Sequence, residues 1–159
     1  MGTPNQDLAD RWKMKMSEIA PTPQRGHVCL VAKDLEEMRK NWKDYLGITL
    51  GPTSVLEGPC SLRGKDVGYC KVLIAFADLG DLKVEFIQPV EGKTQEFELV
   101  ARQVNGIHHL DPNFPRLRTM DERIKQWENR GMRALQIDEP NRWAYMDSER
   151  LLGAIIELH

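Results

Sequence analysis

The chain reads as an α+β domain, and three observations carry that reading. Two helical stretches have their own start and stop signals, the segments between them are short apolar runs with strand composition, and the same order recurs in both halves. The first half runs His27-Val-Cys-Leu-Val-Ala, then Asp34-Leu-Glu-Glu37, which opens a helix ending near Gly47, and later Asp81-Leu-Lys-Val-Glu85-Phe-Ile-Gln-Pro. The second half answers with Gly106-Ile-His108-His109-Leu, with Thr119-Met-Asp-Glu122 opening a helix that stops at Gly131, and with Gly153-Ala-Ile-Ile-Glu157-Leu.

The elements follow in order. A polar arm reaches about Arg25; in it Trp12, Met14 and Met16 alternate with charged residues, ahead of Pro21 and Pro23. An edge strand, an ordered wrap and a frayed terminus all suit such a segment. A strand begins at His27. In each helix a capping residue is followed three places later by Glu, whose carboxylate reaches back to free N–H groups of the first turn, and each stops at a glycine suited to the left-handed position. Leu35, Met38, Trp42 and Tyr45 form one apolar stripe, and Met120, Ile124 and Trp127 another; both are core faces. Strands are expected around Ile48–Leu56, Tyr69–Ala77 and Leu82–Ile87, with turns at Gly51-Pro52, Gly58-Pro59 and Gly80-Asp81. A helix at Thr94–Arg102 links the halves, and later strands fall near Arg133–Ile137, Trp143–Asp147 and Ala154–Leu158. Periodicity alone gives the class and no topology.

Composition bounds the rest. With 159 residues and 41% hydrophobic content the chain suits one domain with a sizeable core. A net charge of -2 with interspersed signs gives no reason to expect nucleic acid, and clusters such as Glu36-Glu37 and Arg116/Arg118 read as solvated faces. No apolar run approaches the ~18 residues that span a bilayer, and no secretory signal is evident, so a cytoplasmic protein without a membrane partner is expected. Cys29, Cys60 and Cys70 are odd in number and lack CxxC spacing, which fits reduced thiols.

The repeat also singles out chemistry. His27, Glu85, His109 and Glu157 hold matching places in the two halves, each at an apolar run. Two imidazoles and two carboxylates form a hard-to-borderline donor set for one divalent cation. Glu85 lies between Val84 and Phe86, and Glu157 between Ile156 and Leu158; an ionised carboxylate there is expensive unless a cation or hydrogen-bond donor meets it.

These halves, with the His27-Val-Cys-Leu-Val and Gly106-Ile-His-His-Leu110 starts and the Gly153-Ala-Ile-Ile-Glu157-Leu end, resemble the vicinal oxygen chelate superfamily, which includes glyoxalase I and methylmalonyl-CoA epimerase. The resemblance covers residues 26 to 158. It implies two βαβββ modules forming a cupped, barrel-like mixed sheet around one metal site: module one at 26–90, a linker at 91–105 and module two at 106–159, with the arm at 1–25 outside. Carried over, the ligands are His27 and Glu85, His109 and Glu157. His109 is preferred to His108 because it precedes the apolar residues as His27 does, and alternation sends its neighbour to the opposite face.

The implied cofactor is one divalent ion among Co, Mn, Ni, Fe and Zn, and the implied activity is a metal-dependent isomerase or epimerase moving a proton on carbon next to a carbonyl or thioester. Glu157 would be the base. Tyr69 falls where epimerases keep a second acid, and Arg142 and Trp143, with Lys71 and Arg63, are candidates to meet an anionic substrate. The partner would be a small molecule such as an acyl-CoA, and the family frame admits a homodimer. Alternatives are a glyoxalase I-like lactoylglutathione lyase and a non-catalytic small-molecule-binding module; an extradiol dioxygenase, with its three-ligand site, fits less well. The stretch Asp111-Pro-Asn-Phe-Pro115 interrupts the strand after His109, so that strand should be short and the pocket wall there altered.

Overall fold

Each half of the chain folds as strand, helix and three strands in a computed structural model, described here for residues 26–102, 106–138 and 142–159. The N-terminal arm with Trp12, Met14 and Met16 lies outside the described residues. The first half comprises β1 (His27–Val31), α1 (Leu35–Leu46), β2 (Ser54–Leu62), β3 (Lys65–Leu79) and β4 (Leu82–Glu91). Helix α2 (Gln95–Arg102) follows. The second half comprises β5 (Gly106–Asp111), α3 (Met120–Glu128), β6 (Ala134–Asp138), β7 (Ala144–Met146), the short α4 (Glu149–Leu152) and β8 (Ile155–Leu158).

The strands close into a barrel in the order β1-β4-β3-β2-β6-β7-β8-β5. Among the described residues only β1–β4 and β5–β8 are parallel; the remaining pairs, including the β1–β5 seam, are antiparallel. Each half therefore contributes the same four-strand order, and the two meet at β1–β5 and β2–β6.

Local chemistry explains the helix ends. Asp34 Oδ1 accepts from the N–H groups of Glu36 and Glu37 at 2.9 and 3.0 Å, and Gly47 ends α1 at φ 69°. Thr119 and Glu122 form a reciprocal capping box on α3. At its other end the N–H groups of Gly131 and Met132 return to the carbonyls of Glu128 and Trp127, with Gly131 at φ +85°.

Outward-facing residues of β3 and β4 pack Ala75, Ala77, Val84 and Phe86 under Leu35 and Trp42 of α1. On the second half Ala144, Met146 and Leu158 pack under Ile124 and Trp127 of α3. Inside the barrel Cys29, Val31, Val72 and Ile87 meet Leu99 and Val100 of α2.

Three local expectations are corrected. Tyr45 is exposed, not core, because it sits at the flank of the stripe in the last turn of α1. The strand expected at Ile48–Leu56 is displaced to Ser54–Leu62, and Gly58-Pro59 lies within it instead of in a turn. Pro59 is tolerated because β2 pairs with β3 along its whole length but with β6 only at Cys60–Leu62, which leaves the Pro59 side of the ladder an open edge. The hairpin turn falls instead at Arg63 and Gly64, both with positive φ (51° and +74°), the signature of a type I′ connection.

The β1–β5 seam depends on a close approach. A Cβ on Gly26 would lie 2.1 Å from the carbonyl oxygen of Asp111. Gly26→Ala is expected to destabilise the protein by about 1–3 kcal/mol through overpacking; an unchanged midpoint in chemical denaturation would contradict this reading of the seam.

Candidate metal centre

Register places the four repeated residues on one inner surface. In the parallel pair β1–β4, His27 stands opposite Lys83, so Glu85 is the next inward residue of β4. In β5–β8, His109 stands opposite Ile155, so Glu157 is likewise two residues further on. The offset is identical in both halves. Across the seam Cys29 opposes His109 and His27 opposes Asp111.

The side chains converge. His27 Nε2 and His109 Nε2 are 3.1 Å apart. Glu85 Oε2 lies 3.3 Å from the first nitrogen and 3.4 Å from the second, and Glu157 Oε2 lies 3.2 and 3.3 Å from them. Donors that each stand about 2.1 Å from one ion are themselves about 3.0–3.4 Å apart in octahedral or tetrahedral arrangements, so these separations fit a shared divalent cation. Candidate ligand atoms of His27, His109 and Glu157 all fall within 4.8 Å of one another; Glu85 faces both imidazoles but is not part of that tighter group. Glu157 Oε2 is buried and faces the two imidazole nitrogens, with no further hydrogen-bond partner among the described residues.

Both imidazoles are held from behind. His27 Nδ1 is 3.2 Å from Asp111 Oδ2, and the same oxygen lies 3.0 Å from His159 Nδ1. His109 Nδ1 meets His108 Nδ1 at 2.8 Å. Were its Nε2 given to a cation, His109 would carry its ring proton on Nδ1 and donate it to His108 Nδ1. Burial drives the His108 pKa down to about 4, which keeps that ring neutral. The expectation that His108 points to the opposite face is corrected: a bulge between Cys29 and Leu30 in the β1–β5 register brings both imidazoles against Tyr145, with ring centroids 4.8 and 4.7 Å away.

Electrostatics inside the cluster follow from burial and pairing. Burial opposes charge on His27, but Asp111, Glu157 and Glu85 outweigh it and hold the imidazole well above its ordinary range. Glu157 and Glu85 do the same for His109. Burial pushes Glu85 and Glu157 up, and the two imidazoles overcome it, so both carboxylates titrate below the usual range.

The centre opens into a cavity of about 730 Å³ whose walls include Phe76, Arg142 and Trp143 as well as His27, Glu85 and Glu157. Arg142 grips Asp138 through two bonds of 2.7 and 3.0 Å. The indole N–H of Trp143 is buried without a partner among the described residues. Tyr69 is not brought to this cavity: it is 48% exposed, its phenol beside Glu57. Lys71 pairs with Glu57 at 3.5 Å, and Arg63, at the hairpin turn, grips Glu98 at 2.7 and 2.6 Å. Sequence reasoning misses Asp111, although its place two residues after His109 already sets it on the same strand face. Arg116, Arg118 and Arg123, also in the cavity wall, carry no such signal.

A closed mixed barrel of two similar halves, with a histidine and carboxylate cluster at their parallel strand pairs, defines a class of protein. The profile of the Glyoxalase/Bleomycin resistance protein/Dioxygenase superfamily matches residues 26–144, and the chain belongs to that superfamily. Among solved structures it is similar to methylmalonyl-CoA epimerase from Mycobacterium tuberculosis, with 17% identity and a TM-score of 0.57 over 83% of each chain. It is also similar to a single-residue variant of Streptomyces coelicolor methylmalonyl-CoA epimerase in complex with 2-nitronate-propionyl-CoA, with 15% identity and a TM-score of 0.54 over 83% of this chain and 90% of that one. A hypothetical protein from Bacillus halodurans shares 18% identity and a TM-score of 0.51 over 82% and 88%. No curated protein sequence matches. No helix among the described residues is long and apolar enough to cross a membrane.

Because the carboxylates draw protons onto His27 and His109, loading a divalent ion is expected to release protons, and affinity is expected to rise with pH through the neutral range. Calorimetry in buffers of different ionisation enthalpy measures both; loading without proton release would contradict the ligand assignment. Asp111→Asn and His108→Phe are each expected to weaken metal affinity about 10–100-fold, read in the same titration.

Proposed function

We propose that the protein is a metal-dependent isomerase that moves a proton on carbon next to a carbonyl or thioester, in the manner of methylmalonyl-CoA epimerase. The observation that carries this reading is the convergence of His27, Glu85, His109 and Glu157, of which His27, Glu85 and Glu157 line a cavity large enough for a small-molecule substrate. His27, Glu85, His109 and Glu157 would hold one divalent ion, which polarises a substrate carbonyl oxygen and stabilises negative charge there.

The remaining work falls to the chain's own groups. Asp111 and His108 fix the two rings so that both Nε2 lone pairs face the centre. Glu157 would take the proton from the activated carbon, and Glu85, the other carboxylate of the centre that lines the cavity, would deliver one to complete the isomerisation. Phe76 and Trp143 wall the cavity and limit water around the reacting carbon.

One observation favours a second reading within the same chemistry. Among the described residues the acids lining the cavity are Glu85, Asp111 and Glu157, and Asp111 is engaged by His27 and His159. Both proton transfers would then fall to the two carboxylates of the centre. That suits a glyoxalase I-like isomerisation of a glutathione hemithioacetal, whose bacterial forms use this ligand set.

Two assays separate the readings. Exchange of the proton at C2 of methylmalonyl-CoA in deuterium oxide, followed by NMR, is expected to depend on the metal and to fall about 10²–10⁴-fold in Glu157→Gln. Thioester formation from methylglyoxal and glutathione without such exchange would favour the lyase. Activity in neither assay, with saturable ligand binding that survives chelation, would favour a binding module and overturn the proposal.

A further inference from the structure

The segment that breaks β5 carries a second feature of the cavity. After Asp111 the chain turns sharply: the Asn113 N–H donates to Asp111 Oδ1 at 2.7 Å, and Asn113 takes φ 51°. Phe114 then anchors the segment on Trp127 of α3, with ring centroids 6.0 Å apart. The turn brings Arg116 and Arg118, on either side of Leu117, to the cavity that holds the metal centre, and α3 adds Arg123 to the same wall.

Arg123 is the telling member. Only 8% of it is exposed, its Nη1 donates to the His159 carbonyl at 2.8 Å, and its Nη2 is buried with no partner among the described residues. A guanidinium is always charged, and a buried donor left unmade costs free energy. Burial first and the neighbouring Arg116 second disfavour its charge, while Asp111 only partly offsets them. Arg118 is felt by Glu122, but that carboxylate is committed to the Thr119 cap. Among the described residues neither Arg116 nor Arg118 has an ion-pair partner. Three guanidinium groups thus share one cavity wall in a chain whose net charge is -2, a local excess that calls for an anion.

We propose that this wall is an anion subsite: it receives a carboxylate or phosphate carried by the substrate whose carbonyl end meets the centre. The inference rests on the cavity being the substrate site, and it narrows the substrate class to carbonyl compounds bearing an oxyanion. The wall and the centre are joined by short contacts, Arg123 to the His159 carbonyl, His159 to Asp111 and Asp111 to His27. Arg142 is held by Asp138 and is not needed for this subsite.

Calorimetric titration of inorganic phosphate and, separately, of succinate into the full chain tests the proposal, before and after chelation of divalent metal. The expected result is saturable binding of at least one anion at one site per chain, weakened by salt and retained after chelation. The double variant Arg116→Gln/Arg118→Gln should weaken it at least tenfold while leaving metal content unchanged. These two residues are exposed, so the variant should fold; Arg123→Gln, which also releases the His159 carbonyl, is a second arm checked by circular dichroism. A tenfold preference for phosphate would assign the subsite to a phosphorylated end of the substrate, and the reverse preference to a carboxylate. Binding of neither anion, equal binding by wild type and double variant, or loss on chelation alone would overturn it. Arginine-dependent phosphate binding in a protein that takes up no metal would keep the subsite and remove the metal reading; metal-dependent turnover without arginine-dependent binding would do the opposite.

Discussion

Two carboxylates lie buried beside two imidazoles at the centre of this barrel, and the rest of the structure is organised around compensating them. Carboxylates as buried as Glu85 and Glu157 are not stable as free ions; they need protons, strong donors or a cation. Both face the same two Nε2 atoms, which are themselves only 3.1 Å apart. Without a cation, the cluster is held by protons that the carboxylates draw onto the two rings against the effect of burial. A divalent ion held by these donors would replace those protons.

Duplication is what allows such a cluster to be built. The same inward offset between a parallel strand pair occurs twice, His27 to Glu85 and His109 to Glu157, and the antiparallel β1–β5 seam brings the two copies face to face. The copies have diverged behind the ligands. Two residues after each histidine stand Cys29 and Asp111, each opposite the other half's histidine, and only the second is a carboxylate. His27 is therefore backed by an anion and His109 by a neutral ring, so the two donors differ in basicity.

Much of this is legible in the sequence. Helix limits are written in Asp34, Thr119, Gly47 and Gly131, since capping and left-handed termination are local chemistry. The four central residues are legible through repetition, which converts four weak signals into one. What escapes is non-local. Whether Pro59 interrupts a strand depends on which neighbour β2 has, and that is fixed by barrel closure. The inward turn of His108 needs a bulge that alternation does not foresee. Arg116 and Arg118 read as a solvated face and are exposed, but nothing local says that the Asp111–Pro115 break sets them at the cavity wall. Tyr69 lies on β3 beyond the stretch paired with β4, and it is exposed.

One ion and four donors make up the central claim, so X-ray absorption at the metal edge of the metal-loaded protein tests it most directly. The expected first shell has two imidazole nitrogens and two carboxylate oxygens at about 2.0–2.2 Å, and it loses one imidazole in His109→Ala. A shell without imidazole scattering, or one unchanged by that substitution, would contradict it.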